Sequence, residues 1–162
     1  RQTRSEARPG PLEHPIWAII SSGRQPFPMR SGAAGGHLSK ALEQLRRLST
    51  SEKDWDSYGG EPPTGQALDR AEQVIHDVAC RVGERLSLRT DPWGVIARGD
   101  GGIILEWRAP SLDLEVHLEP NGALAYLLDE TIDGDSHYTE KEPASLTEIE
   151  SLVSRVILSS QE

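Results

Sequence analysis

Between Leu112 and Glu119 the sequence alternates apolar and polar residues without a break. Leu112, Leu114, Val116 and Leu118 fall on one side, and Asp113, Glu115, His117 and Glu119 on the other. A repeat of two puts successive side chains on opposite faces of a strand, so this segment has one dry face and one wet face. Antiparallel sheets tolerate that division, whereas parallel sheets are covered on both faces. The next residues, Pro120-Asn121-Gly122, are a hairpin signal, so the following strand, about Ala123–Leu128, returns alongside.

Two strands are expected before this one, about Trp93–Arg98 and Ile103–Arg108, joined by the turn Gly99-Asp100-Gly101-Gly102. Ile103, Leu105 and Trp107 share a face, which joins the core. With Ala109-Pro110 as the next turn, Leu105 is expected opposite Leu114 and Glu106 opposite Asp113. Like charges opposite each other are tolerated only on a solvated face. The expected wet face is therefore acidic, carrying Glu106, Asp113, Glu115 and His117.

Three amphipathic helices are expected around the strands. Leu38, Leu42, Leu45 and Leu48 recur at helical spacing over residues 37–49. Thr64 is a candidate N-cap for a second helix reaching Leu86, with Leu68, Ala71, Ile75, Val78 and Val82 on its apolar stripe and fraying near Gly83. Ser145-Leu-Thr-Glu148 is a capping-box pattern opening a third helix to about Leu158. The fold class is α+β: a four-stranded antiparallel meander sheet with helices packed on one face, two before the sheet and one after.

Residues 1–36 are rich in Gly, Pro, Ser and Arg, with five arginines against two glutamates. They are expected to form a flexible basic arm, and residues 37–162 a single α+β domain. The net charge is -9, so the folded part is strongly acidic. That argues against a nucleic-acid groove on it, because phosphate binding rests on Lys and Arg. The basic arm could contact an acidic partner. The single cysteine, Cys80, rules out an internal disulfide. The apolar run Ile16–Ile20 is too short for a signal core or a membrane span, so the cytoplasm is the expected location.

Two stretches invite functional readings. Residues 129–144 read as a polar acidic loop, in which Asp129, Asp133 and Glu140 fall at positions one, five and twelve of a calcium-binding loop and Gly134 at six. Thr131, Ser136 and an entering strand break that pattern, and a solvated loop is the stronger reading. No cofactor and no metal is expected. The connector Trp55-Asp56-Ser57-Tyr58-Gly59-Gly60 must either bury its aromatics or use them. Burial against the sheet, with Asp56 bonding local backbone, is expected, and an exposed aromatic contact is the alternative.

Beyond the residues themselves, the chain resembles a family of small bacterial proteins that pair a Trp-Asp-x-Tyr-Gly motif, prolines and a helix with a later Asp-Gly-Gly-(Ile/Val)-x-Leu-Glu-Trp motif. Here these are Trp55–Gly59 with Pro62-Pro63, and Asp100–Trp107. The resemblance spans about residues 38–128. It implies no activity, and no site residue is carried over from it.

No nucleophile elbow, Walker-type phosphate loop, H-E-x-x-H or C-x-x-C is present. The function expected is that of a non-enzymatic protein–protein interaction module, an accessory, adaptor or inhibitor subunit of a bacterial system. Its partner, another protein in a hetero-complex, would meet Trp55, Asp56 and Tyr58, the face with Glu106, Asp113, Glu115 and His117, or the N-terminal arm. The alternative is a small hydrolase or ligand-binding domain using Glu106, Glu115 and His117.

Overall fold

The computed structural model describes residues 35–161, with side chains from residue 40 onward. The arm expected over residues 1–36 lies outside the described residues, except that Gly35 and Gly36 open the first helix. The elements are α1 (Gly35–Leu48), α2 (Gly65–Val78), a π-helical turn (Ala79–Gly83), α3 (Glu84–Leu86), β1 (Gly94–Ala97), β2 (Ile103–Ala109), β3 (Leu112–Leu118), β4 (Leu124–Ile132), β5 (Asp135–Lys141) and α4 (Leu146–Ser159).

The α+β class and the antiparallel meander are as expected, but the sheet has five strands in the order β1-β2-β3-β4-β5, not four. The segment expected to be a loop over residues 129–144 is the end of β4, a turn and β5. Asp133 and Gly134 are the two turn residues between Ile132 and Asp135, with φ of 54° and 90°. Positive φ at both central residues is the turn whose twist matches a hairpin, and Asp-Gly is among its preferred pairs.

The register between β2 and β3 also differs from expectation. Pro110 and Ser111 form the loop, so Leu105 lies opposite Val116 and Glu106 opposite Glu115, while Arg108 faces Asp113. Proline's fixed φ suits the first central position of a turn. The two-residue shift leaves every side chain on its expected face, since a strand repeats every two residues. It gives Asp113 the opposite charge of Arg108, and leaves an acid–acid pair in Glu106 and Glu115.

Leu105, Trp107, Leu112, Leu114, Val116 and Leu118 are all buried, in one core with Ala41 and Leu45 of α1, Val74, Ile75 and Val78 of α2, and Ile149, Val153 and Val156 of α4. Burying each such aliphatic side chain contributes roughly 1.5–3 kcal/mol. Trp107 is satisfied inside the core because its indole Nε1 donates to the Thr90 carbonyl at 2.9 Å.

The helix ends are set by local chemistry. The Thr64 side chain accepts from Ala67 N, and Ser145 and Glu148 form the reciprocal capping box. The long second helix does not fray at Gly83. It widens into the π turn, resumes for three residues and stops where Ser87 takes φ 55°. No helix among the described residues is long and apolar enough to cross a membrane.

Candidate functional site

The connector after α1 is a closed loop. Asp54 N donates to Gly60 O at 2.9 Å, and Ser57 N to Asp54 O at 3.0 Å. Asp54 Oδ1 accepts from Gly59 N at 2.6 Å, while Asp56 Oδ1 accepts from Tyr58 N and Gly60 N, both at 2.9 Å. Those two N–H groups, Tyr58 first, hold the Asp56 carboxyl below its ordinary value. Gly60 is needed there, because a Cβ on it would stand 2.6 Å from Asp56 Oδ2.

Two non-glycine residues in the loop, Asp54 and Ser57, have φ of 64°. Such left-handed residues cost free energy and persist only where the surroundings impose them. Here the two aspartates impose them. The expected use of Asp56 to bond local backbone is present. The expected burial of the aromatics is not. Trp55 is partly exposed, with its Nε1 donating to Glu61 O at 3.1 Å, and Tyr58 is 94% exposed. The loop spans too few residues to fold Tyr58 back while its backbone is committed to Asp54 and Asp56.

The loop rests on the β1–β2 turn. Glu61 N donates to Gly99 O at 2.9 Å and Thr64 N to Gly101 O at 3.0 Å, with a bridge between Glu61 and Asp100. Gly101, at φ 89°, lets the turn pass close to Pro62 and Thr64. The Trp-Asp and Asp-Gly-Gly motifs are thus one structural unit, built from segments about forty residues apart in sequence.

The second face of the sheet carries three rows across the strands. One row is Gly94, Glu106, Glu115, Leu127 and Glu140; the next is Ile96, Ile104, His117 and Ala125; the third is Arg108, Asp113, Asp129 and Tyr138. Glu106, Asp113, Glu115 and His117 do share this face, as the alternation requires. His117 Nε2 lies 3.0 Å from Glu115 Oε2. The face is less purely acidic than expected, because Ile96, Ile104 and Leu127 run through it.

Glu106 departs from expectation in a second way. It lies on the expected face yet is only 7% exposed, and its Oε2 is buried without a hydrogen-bond partner among the described residues. The cause is its neighbour. Gly94 has no side chain, so the carboxylate lies across it, and a Cβ on Gly94 would meet Glu106 Oε2 at 2.7 Å. Among the described residues Glu106 has one ion pair, to Arg108 at 3.4 Å, whose guanidinium also stacks 4.1 Å from the Trp93 ring centroid.

Arg108 and Trp93 also border a cleft of about 460 Å³, with Lys40, Gln44, Arg89 and Trp107 among its walls. Sequence reasoning missed it, because its residues come from four separate segments with no shared pattern. Glu106, Glu115 and His117 do not line it, nor do they line a smaller cleft between α4 and the end of the second helix.

Asp129 and Glu140 stand on β4 and β5, and Asp133 occupies the tight turn between them. They therefore do not wrap one loop. No group of three or more His, Cys, Asp or Glu placed to hold a metal occurs among the described residues.

No protein-family model, no curated protein and no solved structure matches the chain.

Proposed function

We propose that this protein is a non-enzymatic protein–protein interaction module, an accessory, adaptor or inhibitor subunit of a cytoplasmic bacterial system, with Tyr58 as its main contact. One observation carries the reading: Tyr58 is 94% exposed on a loop held by Asp54 and Asp56 in a conformation that costs backbone strain. Tyrosine offers large contact area with few rotatable bonds, so holding it outward in advance lowers the entropy cost of binding. The resemblance to a bacterial family through the Trp-Asp and Asp-Gly-Gly motifs fits this reading, since those motifs build and seat the loop.

The partner is a different protein. Helices packed on one face of the sheet leave the other, with its carboxylates and the aliphatic row of Ile96 and Ile104, as a second contact suited to a basic rim. The hydrolase alternative rests on the Glu115–His117 contact and the buried Glu106 carboxylate. It requires a concavity beside them, and the clefts described above are elsewhere.

The test is a comparison of the full chain with Tyr58→Ala, both used to retain proteins from an extract of the native host. A side chain this exposed leaves stability within about 0.5 kcal/mol when truncated. The expected result is one or more proteins retained by the full chain and reduced at least tenfold by Tyr58→Ala, with the thermal melt unmoved. Equal retention by both would remove Tyr58 from the contact, and a full chain that retains nothing would refute the module itself.

A further inference from the structure

The two edges of the sheet are treated differently. On β1, four residues long, the carbonyl of Val95 is capped by Gln44 Nε2 from α1 at 2.8 Å. On β5, seven residues long, every residue is exposed. Its outward main-chain groups can be identified from the turn. A two-residue turn makes its flanking residues, Ile132 and Asp135, a hydrogen-bonded pair, and such pairs then alternate along the ladder. Thr131 confirms the phase, because its N–H points away from β5 and donates to Ser111 O at 2.9 Å. Ser136, Tyr138 and Glu140 therefore aim their N–H and C=O groups at the free side, where none has a partner among the described residues.

A long bare edge is a template for another strand, and proteins commonly blunt it with charge. The charges on β5 block most strands but match one, namely β5 itself. We infer that two copies of this chain pair antiparallel through β5, with the two-fold axis at Tyr138.

In that register Tyr138 exchanges hydrogen bonds with Tyr138 of the second copy, and Ser136 pairs with Glu140, giving about six main-chain bonds. Asp135 of one protomer stands opposite Lys141 of its partner at both ends, and His137 opposite Thr139. These pairs follow from the sequence Asp135-Ser-His-Tyr-Thr-Glu-Lys141. The other antiparallel registers that keep the outward groups paired lose the Asp135–Lys141 match. One places Glu140 against Glu140 and another His137 against Lys141. Tyr138 is 68% exposed and meets its counterpart across the axis, where aromatic pairs add to strand association. The product is one continuous ten-stranded sheet, formed without Tyr58.

The experiment is sedimentation equilibrium of the full chain and three variants over a hundredfold concentration range. Tyr138→Pro removes the outward N–H and the aromatic ring at the axis, and takes no main-chain donor from the ladder to β4, which should stay intact. Lys141→Asp sets two carboxylates opposite each other, and adding Asp135→Lys restores opposite charges. Expected results are a dimer for the full chain, at least tenfold weaker association for Tyr138→Pro and for Lys141→Asp, and recovery in the double variant. A full chain at monomer mass throughout would overturn the pairing. So would Tyr138→Pro associating as tightly as the parent, or a double variant no tighter than Lys141→Asp alone.

Discussion

The two faces of this sheet are made by the same strands and have opposite characters. On one face Leu105, Trp107, Leu114 and Val116 are buried without polar interruption. On the other, Ile96 and Ile104 share space with Glu115, His117 and Asp113, and Glu106, the most buried carboxylate among the described residues, is under-bonded. The first face is what stability alone produces. The second keeps features that stability alone would remove, which is where partner binding or chemistry is to be sought.

The largest expected effect tests that contrast directly. Leu105 is fully buried between Val95 and Val116, so Leu105→Ala should cost about 2–5 kcal/mol in urea unfolding, through lost transfer energy and a cavity. Asp113→Ala, on the neighbouring strand but on the second face, should change stability by no more than about 0.5 kcal/mol. Similar costs for the two variants would mean that the second face is also covered.

The faces were legible in the sequence because a two-residue repeat survives errors of register. Placing the turn at Ala109-Pro110 instead of Pro110-Ser111 moved each β3 residue by two positions and moved none to the wrong face. The capped helices were legible for a similar reason, since Thr64 and Ser145 declare themselves locally. Strand β5 was not. All seven of its residues are exposed, so it has no apolar repeat to read. Its one local signal, Asp133-Gly134, is equally the centre of a calcium-loop pattern.

The candidate site was legible only in its residue types. The bonds of Asp56 to local backbone were expected from the sequence, but the added bond of Asp54 and the exposure of Tyr58 that follows from both were not. The burial of Glu106 was equally hidden. It depends on Gly94 being opposite, which becomes visible only once β1 and β2 are paired.

A smaller effect, with the opposite sign, sharpens the contrast. Glu106→Leu removes a carboxylate whose Oε2 is buried and unpaired, and leaves Arg108 with Trp93 and the Asp113 side chain. Replacing a poorly satisfied buried charge by an apolar side chain is commonly stabilising, here by about 1 kcal/mol. A midpoint of urea unfolding that rises marks Glu106 as retained against stability. A midpoint that falls by a similar amount would make Glu106 a structural residue and return the second face to an ordinary surface.

The smallest effect concerns β5, where the contrast between faces ends because neither side of the strand is buried. Its tie to the helices is the ion pair of Lys141 with Glu148 at the start of α4. Lys141, then the Ser145 N–H, then the Ser145 hydroxyl hold the Glu148 carboxyl down at about 2, from an ordinary 4.5. A carboxyl lowered in the folded state contributes stability that is complete above its unfolded value and is lost as pH falls through its folded value. The contribution is therefore present at neutral pH and fades between about 4.5 and 2. Glu148→Gln keeps an acceptor for the Ser145 N–H, so the cap survives while the charge does not. The variant should be slightly less stable than the parent at pH 7, and the two unfolding midpoints should converge as the pH approaches 2. A gap that stays constant from pH 7 to pH 2 would show that the Lys141–Glu148 contact does not hold β5 to the helices, and that the strand is fixed by its ladder to β4 alone.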